Sequence, residues 1–228
     1  MATILCIETS TDICSVCIAR DGEILAIEET TKSFSHSEVI AVFIQQILKY
    51  SGVHEKELDA VAISGGPGSY TALRIGASTA KGLCFGLDIP LIAIDTMKAL
   101  AKRVVKEVNP NEVILPLLDA RRMEVYVSAF NDHLENIKSV EPIIVDENSF
   151  LDYQHNNKVH FLGDGSDKIK DVIQLQNAVF HPVYSSSKGM VELAEEKFRE
   201  KLFEDISYYE PMYYKSPNIT VQKKNILR

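Results

Sequence analysis

The 228 residues lack a basic surplus. With 24 Lys and Arg against 32 Asp and Glu the formal net charge is −8, which argues against a self-sufficient nucleic-acid binder. Long apolar runs are missing too, and nothing approaches the ~20 residues a bilayer span requires. The opening MATILCIETS has neither the basic start nor the apolar stretch of a secretory signal, so a cytoplasmic location is expected. Cysteine is scarce. Of Cys6, Cys14, Cys17 and Cys84, only Cys14 and Cys17 make a C-x-x-C. They sit in ICSVCIAR, which reads as a strand, where residues three apart face opposite ways. With no second pair, free thiols are expected and zinc is not. The six histidines, His36, His54, His133, His155, His160 and His181, show no metal-ligand spacing, and neither H-E-x-x-H nor a G-x-S-x-G elbow occurs. No metal site and no catalytic residue is therefore expected.

What is present is ordinary globular material, 46% hydrophobic and 25% charged, enough for one large domain or two small lobes. TILCIETS, ICSVCIA and EILAIEET read as three strands, the last two joined at the Asp-Gly of RDGE. A helix is predicted from near His36 to near Tyr50. Ser35 and Glu38 are placed for a capping box, Phe34 and Val39 for a hydrophobic staple, and Gly52 for the stop. LDAVAISGG is a buried strand, a second helix runs over about 70–86, IPLIAID is a strand and TMKALAKRVVKE a helix. Beyond 108 the pattern changes. EVILPLLDARRMEVYVSAF reads as two strands, weaker strands fall near EPIIVDE and KVHFLGD, and a helix covers about 188–201. The expected fold is α/β with two actin-like lobes (the ribonuclease H-like superfamily), each a mixed sheet flanked by helices. The first would span 1–108 and carry partner-binding helices. A smaller, divergent second lobe would span 109–228. After Glu210 the chain has no acid but carries Lys215, Lys223, Lys224 and Arg228, read either as a solvated tail or as an RNA contact.

Three features carry the functional reading. The turn GGPGSYTALRIG places Gly66, Gly68 and Ser69 before a helix, where backbone N–H groups and the helix dipole favour anions. Together with Thr9 and Ser10 of the first hairpin it is a candidate vestigial phosphate site. It is neither a Walker loop nor G-x-G-x-x-G, so a tight strand-to-helix turn explains it equally well. In the helix that follows, Ala72, Gly76, Ala80 and Cys84 recur every fourth residue. That strip of small side chains admits another helix backbone, or alternatively packs inside the lobe. In the helix 36–50, Val39, Ile40, Val42, Phe43, Ile44, Ile47, Leu48 and Tyr50 cover an arc of roughly 260° at ~100° per residue, wider than one core requires. A partner protein is the expected cover. Arg121 and Arg122, in the Asp119–Glu124 hairpin, are either an anion site or a solvated turn with local ion pairs.

GPGSYTALRIG, AKGL, HSE near the first helix and DARRMEVY together resemble the bacterial TsaB (YeaZ) family of tRNA threonylcarbamoyladenosine biosynthesis proteins. The resemblance covers residues 4 to about 130 and thins thereafter. It implies a non-catalytic scaffold or activator that pairs with the TsaD transferase and the TsaE ATPase and meets tRNA through that assembly, with no membrane contact. It implies no cofactor of the chain's own and leaves open a nucleotide at the complex interface and a homodimer of the isolated chain. The pairing surface it implies lies on the first two helices, at His36, Val39, Ile40, Phe43, Ile47, Ala72, Leu73, Gly76 and Ala80. On that reading Gly76→Leu disrupts pairing and leaves the fold intact. Glu8, Tyr70 and Ala72 depart from the family's usual Asp, Phe and Gly, and Glu8 weakens a nucleotide role for the first hairpin. The competing reading is an actin-superfamily ATPase or small-molecule kinase acting alone. A peptidase, the third reading, lacks metal ligands and a nucleophile–base pair.

Overall fold

The structure, a computed structural model, describes residues 2–30 and 35–215. Three strands open the chain: β1 (Thr3–Glu8), β2 (Ser15–Arg20) and β3 (Glu23–Glu29). The turn between β2 and β3 puts Asp21 and Gly22 at φ 53° and 82°, a left-handed pair that the Asp-Gly signal anticipates. Then come α1 (His36–Ser51), β4 (Ala60–Ser64), α2 (Tyr70–Leu87), β5 (Leu91–Ile94) and α3 (Thr96–Lys102). The second half holds β6 (Val113–Asp119), β7 (Glu124–Phe130), β8 (Asn136–Ile144), β9 (Val159–Leu162), α4 (Asp164–Ile169), β10 (Ala178–Phe180) and α5 (Val191–Glu200).

The strands form two five-stranded sheets among the described residues, ordered β3-β2-β1-β4-β5 and β8-β7-β6-β9-β10. In each, the first three strands are antiparallel and the last two join in parallel. The second sheet repeats the topology of the first, so the two-lobed actin-like layout is what the chain adopts. The repeat is uneven. The position of α1 is taken in the second half by a loop with one 3-10 turn (Leu151–Tyr153), and that of α2 by the six-residue α4.

Period-two alternation decides what covers each face. From β1, Leu5 and Ile7 join Ile40, Ile44, Ile47, Ala80 and Cys84 under α1 and α2. Ile4 and Cys6 point the other way, into a core shared with Met97, Leu100, Met190 and Ala194. The second sheet adds Ile114, Leu118, Tyr126 and Phe130 to that shared core, while Leu115, Leu117, Val125 and Phe161 fill its outer face. The halves 1–108 and 109–228 are thus not self-contained. α3 packs on β6 and β7, and α5 returns to β1 and β5.

Two local expectations need correction. Ser35 precedes α1, but its hydroxyl pairs with Ser37 Oγ at 2.6 Å and makes no capping bond. The first turn closes instead through Glu38 N donating to the Ser35 carbonyl at 2.9 Å. Phe34 of the expected staple lies outside the described residues. The second correction concerns the helix expected over 188–201, which divides into a 3-10 turn (Ser187–Met190) and α5. All four cysteines are free and buried. Cys14 and Cys17 do point to opposite faces, one into each core.

Candidate functional site: the interlobe cleft and the outer helical face

A cleft of about 500 Å³ lies between the halves. The first half lines it with Ser10, Asp12, Gly68, Ser69 and Tyr70, the second with Asp119, Arg121, Tyr126 and Asp164, and the returning chain with Met212–Lys215. The sequence-predicted residues of the glycine turn and first hairpin do come together. Ser69 N donates to the Ser10 carbonyl at 2.7 Å, Thr9 N donates to Ser64 Oγ at 3.1 Å, and a methyl on Gly68 would strike the Ser10 backbone. The turn nevertheless spends three of its donors inside the protein. Gly65 N bonds the Ile94 carbonyl at 2.7 Å and Gly66 N bonds Thr96 Oγ1 at 3.2 Å. The Met212 carbonyl lies against Gly66, at φ 109°, so any side chain there would collide with it. A phosphate loop works by leaving such N–H groups unmet. Here Gly65, Gly66 and Ser69 offer none.

The buried Glu8 carboxylate folds back on the same loop and accepts Ser10 N at 2.6 Å. Burial pushes this carboxyl up, against the pull of hydrogen bonds from the loop and Ser64. Opposite, Asp164 Oδ1 accepts Asp119 N at 3.0 Å. Burial first, with the Asp119 charge beside it, pushes Asp164 up to about 6. Lys168 is tethered to Asp119 at 2.6 Å and to the Arg122 and Glu124 carbonyls at 2.8 and 2.5 Å. Lys215 pairs with Glu124 and sits over the Tyr126 ring. Arg121 and Arg122 are both exposed, in left-handed backbone at φ 75° and 53°. Arg121 lines the cleft and its N–H is held by Asp119 Oδ1 at 2.6 Å, whereas Arg122 is outside the lining. The cleft lining thus mixes the carboxyls of Asp12, Asp119 and Asp164 with the cations of Arg121 and Lys215. Among the described residues no three His, Cys, Asp or Glu side chains are grouped to hold a metal.

The helical face is arranged differently from the reading of its sequence. Of the nine residues expected to meet a partner, His36, Ile40, Ile47, Ala72, Leu73, Gly76 and Ala80 are buried inside the chain. Only Val39 and Phe43 are partly open. The small-residue strip admits the lobe's own first hairpin: a methyl on Gly76 would strike Thr9 Oγ1. At Gly76 the strip is small because Thr9, just after β1, lies against α2. The outward apolar surface lies elsewhere on the same helices, at Val42 (47% exposed), Tyr50 (64%), Tyr70 (38%) and Phe85 (84%).

Sequence reasoning misses Asp164 because KVHFLGD reads as a strand with Asp164 at its end. Its signal was Gly163-Asp164-Gly165, a strand–glycine–helix junction repeating the one at β4–α2. Also missed was the returning segment. Glu204 N bonds the Leu91 carbonyl at 2.9 Å, Lys81 Nζ holds the Tyr209 carbonyl at 3.1 Å, and Met212 N bonds Gly65 O at 2.8 Å. Tyr213 then packs on Tyr70 with ring centroids 4.7 Å apart, and Tyr214 approaches Tyr126 at 6.2 Å. The tyrosines of SYYEPMYYK were its mark. Lys223, Lys224 and Arg228 of the basic tail lie outside the described residues.

The family model described as tRNA N6-adenosine threonylcarbamoyltransferase, TsaD, matches residues 27–221. The chain belongs to that family. Within the TsaD family it groups with the TsaB/YeaZ proteins. It is 29% identical over 223 residues to the tRNA threonylcarbamoyladenosine biosynthesis protein TsaB of Escherichia coli (strain K12), covering 93% of this chain and 94% of that one. It is 40% identical over 126 residues to TsaB of Haemophilus influenzae, covering 55% of this chain and 52% of that one. The solved structure of YeaZ from Pseudomonas aeruginosa superposes with a TM-score of 0.78 at 22% identity, over 93% of this chain and all of that one, a likeness of fold. Both relatives carry the name tRNA threonylcarbamoyladenosine biosynthesis protein. No helix of the described residues is long and apolar enough to cross a membrane.

Proposed function

We propose that the chain is a non-catalytic subunit that activates a TsaD-like transferase by pairing with it through the outer surface of α1 and α2. A TsaE-like ATPase joins the pair in the cytoplasm, and the assembly modifies tRNA. The observation that carries this reading is the outward apolar surface on two adjacent helices, in a chain related to a transferase of the same fold. Val42, Tyr50 and Phe85 leave large side chains in water that a homologous helix pair would cover. Isolated, two copies of the chain pair through the same surface. The occupied donors of Gly66 and Ser69 and the close approach of Ser10 to Gly68 support a structural role for the turn, with any nucleotide held at the complex interface and not by this turn alone. A solitary ATPase or kinase is the competing reading, since the 500 Å³ cleft has room for a small ligand.

The test is reconstitution. The chain with a TsaD-like transferase and a TsaE-like ATPase should support threonylcarbamoyl transfer to tRNA, while the chain alone should not. Phe85→Asp should weaken transferase binding, measured calorimetrically, at least tenfold and leave the melting temperature unchanged, because Phe85 contributes little to the lobe's own core. ATP turnover by the chain alone, or transfer unaffected by its omission, would overturn this reading.

A further inference from the structure

Away from the cleft, four cations converge on a groove of about 210 Å³ at the seam between the halves. Lys102 comes from the last turn of α3, Arg103 ends that helix, Lys106 belongs to the 3-10 turn Val105–Glu107, and Lys188 comes from the turn Ser187–Met190. Glu192 is the single carboxylate in the lining. This local excess of positive charge stands in a chain whose net charge is −8. Complementing the C-terminal dipole of α3 accounts for cations on that helix, but not for Lys188, which another element brings in. Gly189 makes that delivery possible. Its Cα lies against the Ala99 carbonyl, where a methyl would collide, so the turn packs backbone to backbone on α3.

Internal pairing does not exhaust these charges. Lys102 and Lys106 share Glu192, at 2.5 and 3.3 Å. The Lys106 side chain is 81% exposed, so its pair is of the kind worth at most about 1 kcal/mol, which a phosphate can displace. Arg103 Nη1 donates to the Tyr184 carbonyl at 2.6 Å, which fixes the guanidinium at the groove. Lys188 reaches Glu29 at 2.9 Å. The groove also lies away from the proposed pairing surface, because α3 packs on the face of the first sheet opposite α1 and α2.

We propose that this groove binds the phosphate backbone of the substrate tRNA. The inference rests on the tRNA-modification reading above. A groove lined by three lysines and an arginine suits a phosphodiester chain read by charge alone, since phosphate contacts position an RNA without selecting bases. Each phosphate neutralised releases counterions, so the contact must appear in the salt dependence of binding.

The experiment uses the assembly of the full chain with its transferase, measuring tRNA affinity between low and moderate salt. Lys106→Ala should lower the slope of log affinity against log salt by about one contact's worth, and Lys106→Glu should weaken binding about three- to tenfold. Glu192→Gln, which removes the competing carboxylate, should tighten tRNA binding. Inorganic phosphate at the same ionic strength should compete no better than chloride if an RNA backbone is the ligand. An unchanged slope and affinity in all three variants overturns the proposal. So does weaker binding in Glu192→Gln, which would make the groove a structural ion-pair cluster, and so does selective competition by phosphate, which would make it a free-phosphate site. Failure of the unaltered chain to pair with the transferase would instead overturn the functional reading, a result separable from any of these.

Discussion

Gly76 shows how one side chain's absence is misread without its neighbour. A glycine on a helix flank admits close approach by anything, and the sequence does not say by what. Here it is Thr9, buried in the first hairpin. Gly76→Leu should therefore destabilise the lobe by about 1–3 kcal/mol or more, and a thermal melt should show a clear drop. Partner affinity per folded molecule should be near normal. Asp164 gives a second test at this scale. Burial and the nearby Asp119 raise its carboxyl from 3.8 to about 6. Between those values the folded chain holds a proton that the unfolded chain has released, so the contribution of Asp164 to stability falls as pH rises from about 4 to 6. Asp164→Asn keeps an oxygen to accept Asp119 N but carries no charge. Chemical denaturation across that range should show a flatter profile for the variant, and a profile parallel to the parent's would refute the shift.

Among the elements, α1 and α3 begin in contrasting ways. Ser35 looks like a cap and makes no capping bond, whereas Asp95 accepts Lys98 N at 2.7 Å and does cap α3. Asp95→Ala should cost about 1 kcal/mol, while Ser35→Ala should cost only a few tenths, measured by urea unfolding. The helices also differ in what their apolar residues serve. The wide arc on α1 correctly signalled more apolar surface than one core needs. It did not say which residues are turned outward, because α1 lies over β2 and β3 beside α2, and that placement sends Ile40, Ile44 and Ile47 inward and leaves Val42 and Tyr50 in water.

Across the whole molecule, a polar cluster rivets the second half to the first sheet. Glu29 at the end of β3 accepts Ser15 Oγ at 2.9 Å, Lys188 Nζ at 2.9 Å and the Ser186 hydroxyl, and Ser187 N donates to Ser15 Oγ at 3.0 Å. Burial alone would raise this carboxyl, but the bonds from Lys188, Ser186 and Ser15 outweigh it and hold it below its ordinary 4.5. A depressed folded-state value gives stability that is present above 4.5 and lost as pH falls through the folded value. Glu29→Ala should therefore cost about 2 kcal/mol at neutral pH, since three donors lose a charged partner. The gap between parent and variant should close as the solution is acidified, and a gap independent of pH would mean the carboxylate is not what is lost.

The sequence by itself determined the local periodicities. Alternating apolar residues made the strands, the Asp-Gly pair made their hairpin, and Gly52 ended α1 in a left-handed residue. The two-lobed α/β layout was legible in the order of those strands and helices, and the family in contiguous motifs such as GPGSYTALRIG and DARRMEVY. Tertiary structure decided everything that depends on residues far apart in the chain. It set Thr9 under Gly76, bent the returning segment so that Met212 covers Gly65 and Gly66, and occupied the donors of Gly65, Gly66 and Ser69. It also gathered Lys102, Arg103, Lys106 and Lys188 into one groove. A donor's availability and a small residue's neighbour are properties of the space around it, and one-dimensional spacing carries no record of what the rest of the chain places there.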